Sequence, residues 1–244
     1  MKYVRQANER GITTLTLDSP DNRNALSADL VADLAGALRR CAVDQDVRAV
    51  VLSHTGPTFS AGADLKSPAN PYAFVELLRA LVELPKPVVA RVDGSARAGG
   101  LGLLGACDVV LASAGSSFAF TEVRIGVAPA IISLTLLPRL EPRAASRLYL
   151  TGERFDAAEA ARIGLITEAV DDLDAATEGV CDAFRKAAPQ GLAEAKRLVT
   201  ARVLEAFERD AEDLVQRSAS LFASTAAREG MTAFFERRDP PWVL

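Results

Sequence analysis

Two short apolar runs, Val47–Ser53 and Val88–Val92, each lead directly into a corner made of glycine and other small residues. Runs of strand length without alternation suit strands covered on both faces, which calls for helices on either side of a largely parallel sheet. The surrounding pattern supplies such helices. Gly11–Asp18 alternates at period two and is rich in β-branched residues, so it reads as a further strand. Ser27 is placed to cap a helix running to about Arg40, with Leu30, Leu34 and Leu38 on one face. A second helix over Tyr72–Leu84 is stopped by Pro85-Lys86-Pro87. A helix near Gly100–Cys107 and strands at Val109–Ala112 and Ser117–Phe120 follow. From Pro129 onward the spacing is helical almost throughout, over Pro129–Leu137, Arg143–Leu150, Ala157–Ile163, Ala175–Ala187, Leu192–Ala206, Ala211–Ser224 and Ala226–Glu236. Strands alternating with helices, then helices alone, predict an α/β core with a helical C-terminal extension. Pro189-Gln190-Gly191 is the clearest break and divides residues 1–188 from 189–244.

Composition narrows the function classes. The chain carries 28 Lys and Arg against 32 Asp and Glu, a net charge of −4, which disfavours a nucleic-acid partner that would need a cationic face. No run is long and apolar enough to span a bilayer, and the first residues lack the apolar stretch of a signal peptide, so a cytoplasmic protein without a membrane partner is expected. Cys41, Cys107 and Cys181 are widely spaced inside apolar stretches and read as buried free thiols. With a single histidine, His54, they make a poor metal set, so no metal is expected.

The chemistry concentrates in the two corners, Gly56–Lys66 and Asp93–Gly102. Small residues allow a ligand close to the main chain, and a helix start leaves amide N–H groups free. Two such corners on neighbouring strands can aim two amides at one oxygen, the arrangement that stabilises an enolate or tetrahedral oxyanion. Read singly, each corner is equally well a tight turn with a packing role. Ala98-Gly99-Gly100-Leu101-Gly102 is not a dinucleotide fingerprint, and no phosphate-binding Gly-Lys-Ser/Thr occurs.

Phe59-Ser60-Ala61-Gly62-Ala63-Asp64-Leu65-Lys66, then Ala98-Gly99-Gly100 running into Ala106-Cys107-Asp108, resembles the crotonase (enoyl-CoA hydratase/isomerase) superfamily. So do Phe118–Gly126 with Pro129, Leu150-Thr151-Gly152 with Ala157, Ala160, Gly164 and Leu165, and the tail Gly230–Arg238. The resemblance implies a crotonase-like spiral of ββα units, residues 1–188, with a helical C-terminal region, 189–244, that builds a homotrimer or a dimer of trimers. It implies an acyl-CoA or enoyl-CoA substrate of the kind met in fatty acid metabolism, with coenzyme A as part of the substrate and no further cofactor. The amides that hold the thioester carbonyl map to Ala63 and Gly99. The wider substrate contacts map to Arg23, Ala61, Ala63, Asp64, Leu65, Lys66 and Gly99, with Arg23 and Lys66 toward the phosphates or adenine. Asp64 is equally a turn-fixing residue.

Of the family's two usual carboxylates, the second maps to Glu122 and the first to Gly102, which cannot ionise. A further acid found in dienoyl-CoA isomerases maps near Ala130. Hydratase-type lyase chemistry is expected from the likeness of Glu122–Ser133 to hydratase sequences. Isomerisation with Glu122 as single proton shuttle, and a catalytically silent scaffold, are the alternatives. If Gly102 is all that limits hydration, a glutamate there should restore it, and Glu76 is a candidate to orient the water otherwise. Arg97 is unusual in its corner and could meet an acidic acyl group or a CoA phosphate. A serine peptidase on a similar fold would have to pair Ser60 with His54.

Overall fold

A computed structural model describes all 244 residues. β1 (Val4–Glu9) and β2 (Ile12–Leu17) form an antiparallel hairpin. Helix α1 (Ala28–Val43) follows, capped by the Ser27 hydroxyl, which accepts from the Leu30 amide. A unit of long strand, corner, short strand and helix then repeats. The first is β3 (Ala49–His54), β4 (Thr58–Ser60) and α2 (Pro71–Glu83). The second is β5 (Val88–Val92), β6 (Ser95–Arg97) and α3 (Gly99–Ala106). The third is β7 (Val109–Ser113), β8 (Ser117–Ala119), a 3-10 turn at Glu122–Ile125 and the short α4 (Ser133–Leu136). Then come α5 (Pro142–Thr151), β9 (Phe155–Asp156), α6 (Ala157–Arg162) and β10 (Glu168–Val170). Helices α7 (Leu173–Lys186), α8 (Pro189–Phe222) and α9 (Thr225–Glu236) complete the chain.

Each turn of this spiral gives one strand to each of two sheets. The larger has the order β1-β2-β3-β5-β7-β10, and the smaller β4-β6-β8-β9. Every pairing from β2 to β10 in the larger sheet is parallel, as are β4–β6–β8 in the smaller. The continuous apolar runs now have a direct cause. Val50 and Leu52 of β3 enter the main core with Leu30, Leu34 and Leu78, whereas Ala49 and Val51 join Leu173 and Cys181 of α7 on the opposite face. Both faces are covered, so neither parity can be polar.

Two expectations change, and one strand was not anticipated. β1 escapes the sequence pattern because Arg5 to Glu9 are all exposed on an edge strand, with no alternation to find. Leu192–Ala206 and Ala211–Ser224 are one 34-residue helix, because Phe207-Glu208-Arg209-Asp210 between them contains no breaker. Pro129–Leu137 is helical only over Ser133–Leu136, and the rest is a turn that shapes the site.

Long α8 is fixed to the spiral by Lys196. Its ammonium is 5% exposed, donates to the carbonyls of Leu81 and Lys86, and sits 2.8 Å from the Asp108 carboxylate. One side chain thus ties the end of α2, the loop before β5 and the start of β7 to the helical extension. The three cysteines are buried and unpaired.

Candidate active site

The two glycine corners meet. Gly62 has φ of +92°, and a Cβ there would stand 2.7 Å from Ala98 Cβ and 3.2 Å from the Gly99 nitrogen, so only glycine brings the first corner this close to the second. Ala98 itself takes φ 47°, ψ −122°, a conformation that costs a non-glycine residue about 1–3 kcal/mol. That strained residue turns β6 into α3 and leaves Gly99 as the first helical residue, whose amide has no acceptor within the helix. Ala63 faces it from the first corner. There the Leu26 amide donates to Gly62 and the Asp64 amide to Leu26, which leaves the Ala63 N–H outside the ladder. A side chain at position 99 would lie 3.7 Å from the Ala63 nitrogen and 2.9 Å from Leu26 Cδ1, so the missing Cβ keeps the space before both amides open.

These amides border a cavity of about 580 Å³. Ala61, Ala63 and Leu65 contribute from the first corner, Arg23 from the turn after β2, Gly99 from the second corner, and Glu122 from the 3-10 turn after β8. Phe74 of α2, Phe222 of α8 and Phe234 of α9 add apolar wall. Glu122 is 9% exposed, and its Oε2 is buried without a hydrogen-bond partner. Burial raises its pKa to about 7, with only its own main-chain amide pulling the other way. A carboxyl balanced near neutrality can both take and return a proton. Around it, Val127, Ala130, Ile131 and Ile132 supply no competing acid or base.

The place of the absent first carboxylate is filled. Gly102 is buried in α3, and a Cβ on it would stand 2.5 Å from Ile132 Cγ2. The Thr135 hydroxyl donates to the Gly102 carbonyl at 3.0 Å and holds the Ile132 turn against the helix. The expectation that a glutamate at 102 alone restores hydration is therefore corrected: the site lacks room as well as charge. Ile132 went unnoticed in the sequence because nothing local marks an isoleucine as the partner of a glycine thirty residues earlier.

Other candidates separate cleanly. Asp64 and Lys66 do not line the cavity; the Asp64 carboxylate accepts from the amides of Lys66 and Ser67 at 2.9 and 3.2 Å and shapes the turn. Glu76 is exposed on α2 and off the wall, so it orients nothing there. His54 Nε2 accepts from the Asp93 amide, while Ser60 Oγ accepts from the Gly62 amide, and the two side chains do not pair. Arg97, Arg124 and Arg154 line the cavity. The latter two carried no signal, being ordinary surface types in ordinary spacing.

Two amides outside the main-chain ladder and one buried carboxyl with a raised pKa border one largely apolar cavity, an arrangement chemically able to hold an oxyanion and to move a proton beside it. The chain belongs to the enoyl-CoA hydratase/isomerase family, whose model matches residues 7–243. It is similar to a solved enoyl-CoA hydratase from Mycobacterium avium, at 53% identity over 99% of each chain with a TM-score of 0.93. It is also similar to carnitinyl-CoA hydratase from Mycobacterium avium, at 29% identity over 100% of this chain and 99% of the other with a TM-score of 0.89. The 1,2-epoxyphenylacetyl-CoA isomerase of Escherichia coli (strain K12) is 30% identical over 100% of this chain and 99% of its own.

Proposed function

We propose that this protein relocates the double bond of an enoyl-CoA thioester. The amides of Ala63 and Gly99 receive the carbonyl oxygen as it becomes an enolate, and Glu122 carries the proton from one carbon to the other. Because those donors are fixed before the reaction, they favour the charged state over the ground-state carbonyl. The observation that carries this reading is the solitary Glu122, unpartnered at Oε2, in a wall where Ile132 occupies the space of a second carboxylate. One carboxyl is enough for a proton that leaves and returns. Water addition in this family uses a second carboxylate, and where that one maps, Gly102 and the Ile132 side chain against it supply no polar group.

Hydration is the second reading, favoured by the 53% identity to a protein named enoyl-CoA hydratase. Incubation with a 3-enoyl-CoA and with crotonyl-CoA, followed by mass analysis, separates the two. We expect the 3-enoyl-CoA to give a product of unchanged mass and crotonyl-CoA to gain no water. A gain of one water at comparable rate would replace the isomerase reading with the hydratase one. Self-association, as the homotrimer or dimer of trimers that the resemblance implies, is in keeping with exposed apolar side chains on the helical extension, Leu198, Val199 and Phe235 among them.

A further inference from the structure

Three arginines on the cavity wall, Arg97, Arg124 and Arg154, have no carboxylate to answer them. The β6–β8 register sets Arg97 opposite Ala119, and the β8–β9 register sets Phe118 opposite Phe155, so Arg154 falls on the other flank of Ala119. Ala96, Phe118 and Phe155 enter the core, which leaves Arg97 and Arg154 sharing the other face two strands apart. Their Cα atoms are then roughly 10 Å apart, a span that two arginine side chains close easily around one guest.

Arg97 is half-buried, and its guanidinium donates only to the carbonyls of Ala96 and Ser117 and to the Ser117 hydroxyl. Burial, with the neighbouring Arg154 charge, pushes its pKa down. Arg124 stands beside them, its Nε 3.3 Å from where a Cβ on Gly152 would be. None of the three takes part in an ion pair, although Arg79, Arg91, Arg147 and Arg185 elsewhere all do. The only carboxyl on the cavity wall is Glu122.

Like charges held together without an acid form a site for an anion. The phosphates of coenzyme A are one source and a carboxylate on the acyl group is another. Arg23 lies on the opposite, Ala63 side, where its carbonyl accepts from the Ala61 amide. Arg97 is two residues from Gly99, at most about 7 Å along the chain. With the thioester carbonyl at Gly99, the pantetheine arm carries the phosphates well away, so an anion at Arg97 belongs to the acyl side. We propose that the acyl group ends in a carboxylate received by Arg97 and Arg154 with Arg124 beside them, making the substrate a CoA monothioester of an unsaturated dicarboxylic acid. This rests on the CoA-thioester reading above.

Binding of saturated, unreactive ligands tests it on the full chain by calorimetry: coenzyme A, hexanoyl-CoA and adipoyl-CoA, with longer and shorter pairs of the same two kinds. We expect the dicarboxylic thioester of at least one pair to bind about 10- to 100-fold more tightly than its partner. Arg154→Gln, at an exposed position that does not endanger folding, and Arg97→Gln should collapse that ratio toward one. No preference at any chain length in the parent protein overturns the inference while leaving the thioester reading intact. An equal loss of affinity for all three ligands in the variants would assign the arginines to the phosphates and also overturn it. If hexanoyl-CoA and coenzyme A do not bind at all, the thioester reading itself falls.

Discussion

A Glu122→Gln variant turns over an enoyl-CoA about 10²- to 10⁴-fold more slowly than the parent chain, the range a positioned acid–base group contributes. Affinity for a saturated thioester is expected to be kept, because the proposal places its carbonyl at the amides of Ala63 and Gly99 and not at Glu122. In the parent, kcat/KM rises with pH through about 7 as the Glu122 carboxyl ionises to become a base. The variant loses that limb. Stability moves in the opposite sense. The folded carboxyl keeps its proton to about 7 against an ordinary value of 4.5, so the folded state binds more protons between those values and stability falls as pH rises through them. That difference is worth about 3 kcal/mol. The glutamine, which never ionises, therefore melts higher than the parent at pH 8, with the gap closing toward pH 4.5. Thermal melts at the two pH values, beside the rate measurement, check both halves. Undiminished turnover would remove Glu122 from the mechanism, and a melting difference independent of pH would remove its strained charge.

The two halves of this site were not equally visible in the sequence. The two glycine corners were legible because their cause is local, a buried strand leading into a run of small residues, whereas the choice of Ala63 and Gly99 within them came from the family resemblance. The α/β core was legible for the same reason, since apolar β3 and β5 need cover on both faces wherever they sit, while the spiral arrangement came from the family resemblance. β1 was hidden because an exposed edge strand bears no hydrophobic alternation, and the unbroken α8 because charged residues alone do not stop a helix. The environment of Glu122 was hidden for a deeper reason. Its raised pKa comes from desolvation by burial, and enclosure by the folded chain leaves no mark on the glutamate itself. Arg97 and Arg154 illustrate the same point, because their adjacency exists only through the pairing of β6, β8 and β9.

Gly102→Glu destabilises the fold by about 3 kcal/mol or more. Overpacking a filled core costs typically 1–3 kcal/mol, and here the first added atom would already stand 2.5 Å from Ile132 Cγ2. The carboxylate beyond it then has to settle among apolar side chains, a further cost. Ile132→Gly leaves the Ile132 Cα, at 3.5 Å, as the nearest atom to that new Cβ, an ordinary contact. The double variant Gly102→Glu with Ile132→Gly is accordingly more stable than Gly102→Glu alone, even though Ile132→Gly by itself removes a buried side chain and destabilises. Such a sign reversal is a coupling that independent sites never show. Denaturant unfolding of the three variants measures it, and simple additivity would mean that Ile132 is not what excludes the second carboxylate. Ile132 lines the cavity that holds Glu122, so under the isomerase reading proposed above the double variant is expected to gain water addition to crotonyl-CoA. If the double variant folds and still adds no water, the Gly102–Ile132 packing is not what limits hydration, and the water-holding group has to be sought elsewhere on the wall.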